Sequence, residues 1–131
     1  MTRYYTPAQV NEVLPQINAL LGELLERRGR VVRESESAEM KQVLETNDSG
    51  NATASAIALE FIEIERLVDE IQAFGCYLKD LNGGLVDFLA RRNGRDVYLC
   101  WRYGEPLEIA YYHELHTGFQ GRELINPADF E

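Results

Sequence analysis

The residues best suited to chemistry lie mostly in the last third of the chain. His113-Glu114-Leu115-His116 carries both histidines, and Cys76 and Cys100 are the two thiols. The helical zinc-protease motif sets two histidines four residues apart with a glutamate beside the first; here the interval is three. Residues three apart on a continuous strand point to opposite faces. A divalent metal shared by His113 and His116 would therefore need a bend after Leu115, with Cys100, Glu105 or Asp80 as further ligands. The plainer reading is a hydrogen-bonded His113 and an exposed His116, and no resident cofactor is expected. Cys100 would act as a nucleophile only with His113 beside it; otherwise it packs, as Cys76 does at a helix end. Gly118-Phe119-Gln120-Gly121-Arg122 has glycine spacing but does not join a strand to a helix start, so it lacks the context of a phosphate loop. Arg122 is read either as an anchor for an anion or as the ion-pair partner of Asp80 or Glu105.

An α+β fold must position these side chains: a long antiparallel helical hairpin followed by a three-stranded antiparallel β-sheet. Helix one is expected over 6–45. Thr6-Pro7-Ala8-Gln9 combines a capping threonine, a proline at the first helical position and a glutamine three residues after the cap. Val10, Val13, Leu14, Ile17, Leu21, Leu24, Leu25, Val31 and Val32 follow at helical spacing, and Met40, Val43 and Leu44 resume the stripe. Pro15 inside this pattern predicts a kink. The polar stretch 46–55 is expected as a loop. Helix two is expected over 56–81, on a heptad seam of Ile57, Phe61, Ile64, Val68, Ile71, Gly75 and Leu78, flanked by Leu67, Phe74 and Leu81. So wide a stripe needs more partners than helix one: the sheet, or a second copy of the chain. Asn82-Gly83-Gly84 is read as its end.

A β-meander over 85–116 and a tail over 117–131 complete a single domain. Asn93-Gly94 is a two-residue hairpin signal that pairs Arg92 with Arg95 and so sets the register. A second turn centred near Glu105 brings in the third strand. One face then carries Val86, Phe88, Ala90, Val97, Leu99 and Trp101, joined by Ile109, Tyr111 and His113, and packs on the helices. The other carries Asp87, Leu89, Tyr98, Cys100, Arg102, Ala110, Tyr112 and Glu114. In this register Asp87 faces Cys100, with Arg102 one diagonal step away. His113 falls on the side away from Cys100, which argues against a Cys–His pair. The mixed face could bind a small polar ligand or a protein; its simpler reading is a weak cross-strand Asp87–Arg102 ion pair beneath covering tyrosines.

Composition narrows the function classes. A chain of 131 residues with 45% apolar side chains can bury a core without disulfide or metal. The net charge of −9 opposes binding to phosphate backbones and anionic membranes. The dense basic cluster Arg27, Arg28, Arg30 and Arg33 runs straight into Glu34, Glu36 and Glu39, so it reads as a solvated helix face rather than a nucleic-acid surface. No signal-peptide pattern opens the sequence and no apolar run reaches the roughly 20 residues of a membrane span. A cytoplasmic protein with free thiols is the expectation.

Five strings together carry a resemblance: Arg3-Tyr4-Tyr5-Thr6-Pro7; Leu78-Lys79-Asp80 before Gly84-Leu85-Val86-Asp87-Phe88; Leu99-Cys100-Trp101-Arg102 with Gly104-Glu105; Tyr111-Tyr112-His113-Glu114; and Gly118-Phe119-Gln120-Gly121-Arg122. Over essentially its whole length the chain resembles the prokaryotic family catalogued as domain of unknown function 2203. It departs from that pattern at Tyr112, where tryptophan is expected, and at His116, where an acidic or neutral residue is expected. The second departure weakens any metal site built on His116. The resemblance implies a cytoplasmic bacterial protein and no established activity, and it marks Asp80, Asp87, Cys100, Trp101, Glu105, His113, Glu114 and Arg122 as family-type positions. The expected function is a non-enzymatic protein-interaction module that forms a homodimer. The alternative is a small metal- or ligand-binding protein or hydrolase-like enzyme, with Asp80, Asp87, Cys100, Arg102, Glu105, His113, Glu114 and Arg122 on or beside the sheet as its site.

Overall fold

The structure, a computed structural model, describes the backbone of residues 3–44 and 49–130 and the side chains of residues 3–36 and 54–130. Helix α1 (Pro7–Leu44) opens on the expected capping box. The Thr6 amide donates to Gln9 Oε1 at 3.0 Å, and the Gln9 amide donates to Thr6 Oγ1 at 3.2 Å. The helix runs continuously through Pro15. The side chains of Met40, Val43 and Leu44 lie outside the described residues.

Helix α2 (Ser49–Gln72) starts earlier and ends earlier than expected. Residues 46–48 of the expected loop lie outside the described residues, while 49–55 are helical. Alanines at 52, 54 and 56 give this small-residue stretch a helix preference that its polarity conceals. At the other end a glycine within the heptad spacing stops the helix. Gly75 takes φ of 88°, a left-handed conformation that closes helices. The Phe74 and Gly75 amides donate to the Ile71 and Gln72 carbonyls in the last tight turn. The two helices run in opposite directions: Arg27 in α1 pairs with Glu60 near the middle of α2 at 3.2 Å, and the hydroxyl of Tyr5, just before α1, donates to the Phe74 carbonyl just after α2.

The sheet has five antiparallel strands, not three. Their order follows the chain: β1 (Tyr77–Asp80), β2 (Leu85–Arg92), β3 (Arg95–Arg102), β4 (Tyr111–Glu114) and β5 (Glu123–Leu124). β1 takes residues expected to be helical, and Asn82-Gly83-Gly84 turns one strand into the next. β5 arises within the expected tail. The β2–β3 hairpin has the expected register, with Arg92 opposite Arg95 and Asp87 opposite Cys100. Asn93 and Gly94 adopt φ of 51° and 80°, the positive pair that such a turn demands. Val86, Phe88, Ala90, Val97, Leu99 and Trp101 point to the helices and meet Val10, Leu14, Ile17, Leu21 and Leu24 of α1 and Leu67 and Ile71 of α2. All of these are at most 1% exposed.

The β3–β4 register corrects the sequence reading. Cys100 faces Tyr111 and Tyr98 faces His113, one residue away from the pairing that a turn centred at Glu105 gives. A slip of one residue exchanges the faces of the whole strand. Tyr111 and His113 therefore join Asp87 and Cys100 on the outer face, and Tyr112 and Glu114 turn to the helix side. The loop between the strands holds this register. Trp101 Nε1 donates to the Pro106 carbonyl at 3.0 Å, the Arg102 amide to Glu105 Oε1 at 2.7 Å, and the Ile109 amide to Asn11 Oδ1 of α1 at 2.7 Å. Ile109 remains in the core, as expected, but before the strand begins.

Candidate functional site

β3 is the central strand, with β2 and β4 on either side at roughly 5 Å spacing. Cys100 is a small residue on its outer face, so longer side chains from both neighbours can meet above it. Asp87 reaches over from β2 and His113 from β4. His113 Nε2 lies 3.0 Å from Asp87 Oδ2, and His113 Nδ1 lies 2.7 Å from the Glu114 carbonyl oxygen. A nitrogen, a carboxylate oxygen and the Cys100 sulfur all fall within 4.8 Å of one another. The three residues are 3% exposed or less. Among the described residues Asp87 Oδ1 has no hydrogen-bond partner, an unusual condition for a buried carboxylate oxygen.

The hydrogen bonds constrain the protons. The Glu114 carbonyl can only accept, so Nδ1 carries a hydrogen. Nε2 then either carries a second proton toward Asp87 or turns a lone pair toward it. Burial, reinforced by the Asp87 carboxylate, pushes the Cys100 thiol well above its ordinary pKa, and the Arg122 guanidinium only partly offsets this. The expectation that Cys100 and His113 lie on opposite faces is thus overturned, but their proximity does not make a thiolate–imidazole couple.

An aromatic and cationic layer covers the cluster. The Tyr98 ring lies 5.6 Å from that of His113 and 5.8 Å from that of Tyr77, with Lys79 Nζ 5.4 Å from both tyrosines. The Arg122 guanidinium sits 4.2 Å above Tyr111 and 4.1 Å above Phe119. It forms a two-pronged ion pair with Glu105, with both contacts at 3.0 Å. This fork geometry is the strong form of an arginine–carboxylate contact. Tyr77, Tyr111 and Phe119 were not among the sequence candidates; alternation along the strands would have placed the two tyrosines, given the correct helix end and β4 register.

The other candidates lie apart from the cluster. Asp80 closes the β1–β2 turn, accepting the Asn82 amide at 2.9 Å through Oδ1. Arg102 rests beside Phe119, 5.6 Å from the ring centre, rather than pairing with Asp87. The Glu114 side chain pairs with Arg95, and only its carbonyl serves His113. His116 is exposed on the turn after β4, so a metal held jointly by His113 and His116 is corrected: the donors near His113 are Asp87 and Cys100. Asp80 and Glu105, the other ligands considered, are engaged elsewhere.

Cys76 lies buried at the start of β1, its thiol donating to the Ile71 carbonyl at 3.2 Å. Burial, with a smaller contribution from Asp87, pushes this thiol up to about 12, partly offset by the residue's own backbone N–H. An unfolded thiol titrates near 8.5. A raised thiol pKa contributes stability that is fully present below the unfolded value and is lost as pH rises through about 12. Urea midpoints should therefore fall with pH above about 9, and less steeply in Cys76→Ala. Parallel slopes for the two proteins would refute this assignment.

No described helix is long and apolar enough to cross a membrane. No match is found among curated proteins or solved structures. The model of the family described as "Uncharacterized conserved protein (DUF2203)" matches residues 3–125, spanning both helices and all five strands, and the chain belongs to that family.

Proposed function

We propose that this is a metal-binding protein that holds one divalent ion of the zinc class between Asp87, Cys100 and His113. The observation that carries the reading is the convergence of three buried donor atoms within 4.8 Å, with Asp87 Oδ1 left without a hydrogen-bond partner among the described residues. A mixed sulfur, nitrogen and oxygen set suits borderline-soft ions such as Zn²⁺. The Nδ1–H bond to the Glu114 carbonyl is the outer contact that fixes a ligating histidine with Nε2 free for the metal. A thiolate and a carboxylate balance a dication, which relieves the cost of burying either anion alone. The ion would also remove the thiol proton that burial otherwise retains. Three protein donors leave one tetrahedral position for water or a small anion.

Cobalt(II) titration of the untagged protein tests this. One equivalent should bind, with a thiolate-to-cobalt charge-transfer band that zinc displaces. Cys100→Ser should abolish the band, and His113→Ala should weaken binding by about a hundredfold or more. Affinity should fall with acidification as protons compete for the ligands. Absence of stoichiometric binding, or a band unchanged in Cys100→Ser, would overturn the reading.

A further inference from the structure

A second surface lies on the far side of the molecule, on the helices. Leu67 and Ile71 direct one stripe of α2 into the core. Phe61, Ile64 and Val68 form another stripe, which with Val31, Val32 and Leu81 lines an open groove of about 520 Å³. Phe61 is 56% exposed, Val32 46% and Leu81 41%. An apolar groove with a large aromatic side chain exposed on its wall marks an interaction site.

The charges around the groove identify the occupant. Arg28 stands on the α1 wall and Glu65 on the α2 wall. Around Arg28 lie Arg27, Arg30 and Arg33, the dense basic cluster of a chain with net charge −9, while α2 carries Glu60, Glu63, Asp69 and Glu70 beside Glu65. Arg27, Arg30 and Arg66 pair with neighbouring glutamates, whereas Arg28 and Glu65 enter no ion pair among the described residues. An acidic partner would be repelled by the α2 wall, and a basic one by the α1 wall. A second copy brings both walls at the matching spacing. A two-fold axis brings each residue of such a pair to its counterpart twice.

We infer that two copies of this chain associate through the α1–α2 groove, each Phe61 entering the groove of the other, with Arg28 of each copy meeting the other's Glu65. This interface is remote from the metal cluster on the outer sheet face and does not depend on it. A central aromatic residue seated in an apolar pocket, ringed by polar contacts, has the anatomy of an interface hot spot.

The test is light scattering and sedimentation equilibrium on the full chain. At tens of micromolar the mass should be twice the 15.0 kDa of one chain. Phe61→Glu should weaken association by about thirtyfold or more. Its thermal unfolding, read by circular dichroism at concentrations where both proteins are monomeric, should match the parent. Arg28→Glu and Glu65→Arg should each weaken the dimer, and the double exchange should recover most of the loss. A monomeric parent would overturn the proposal and leave the groove to a different protein. A dimer indifferent to Phe61→Glu would assign self-association to another surface, and single-exchange losses that persist in the double variant would refute the two-fold pairing.

Discussion

Asp87→Ala is expected to lower the free energy of unfolding by about 3–5 kcal/mol, the cost of removing one member of a buried pair. Asp87 and His113 are 3% and 2% exposed. Without the carboxylate, the buried His113 Nε2 loses its partner at 3.0 Å, beside the Tyr98 ring. Asp87→Asn keeps the volume and one oxygen, so it should cost only about 1–3 kcal/mol. The two variants also separate the pair from the metal. Zinc at a hundred times its dissociation constant should stabilise the parent by about 2.7 kcal/mol and leave Asp87→Ala almost unchanged. Urea denaturation with a chelator, and again with zinc, reads both effects. A loss under about 1 kcal/mol in chelator, well short of the buried-pair cost, would mean that the Asp87–His113 contact does not organise this face.

Trp101→Ala should cost a similar amount, about 3–5 kcal/mol, although Trp101 lies on the opposite face of β3 from Cys100. Its ring is 1% exposed and packs in the core, while its indole N–H holds the Pro106 carbonyl at 3.0 Å. Trp101→Phe retains most of the packing and forfeits the hydrogen bond, so its cost should include about 1 kcal/mol for that bond and stay well below that of alanine. The further consequence concerns the site. The Trp101–Pro106 contact helps to hold the loop that sets the β4 register, and that register brings His113 over Cys100. Cobalt affinity should therefore fall in Trp101→Ala even where the protein remains folded. Equal costs for phenylalanine and alanine would refute the packing argument, and unchanged cobalt affinity in a folded Trp101→Ala would refute the coupling.

Legibility followed the range of the interactions involved. Thr6, Pro7 and Gln9 carried the start of α1, because a capping box closes within four residues. Asn93 and Gly94 carried the first hairpin and all eight of its cross-strand pairs, because a two-residue turn leaves one register open. The same turn chemistry placed Asp87 opposite Cys100 and put Trp101 under the helices. The end of α2 is hidden in the apolar spacing, which continues numerically through Gly75 although the backbone there turns left-handed. β5 carries no sequence signal, because two residues contain no periodicity and its pairing depends on the register of β4.

The sequence by itself determined two helices with an apolar inner face, a tight hairpin, and which side of β2 and β3 packs on the helices, since period and turn type are local properties. Only the tertiary structure decided that His113 stands with Asp87 and Cys100. An eight-residue connection can return a strand in either of two registers with opposite faces, and contacts from Trp101 to Pro106 and from Ile109 to Asn11 of a distant helix select between them. A site assembled from three strands depends on that selection, which no segment of the chain makes alone.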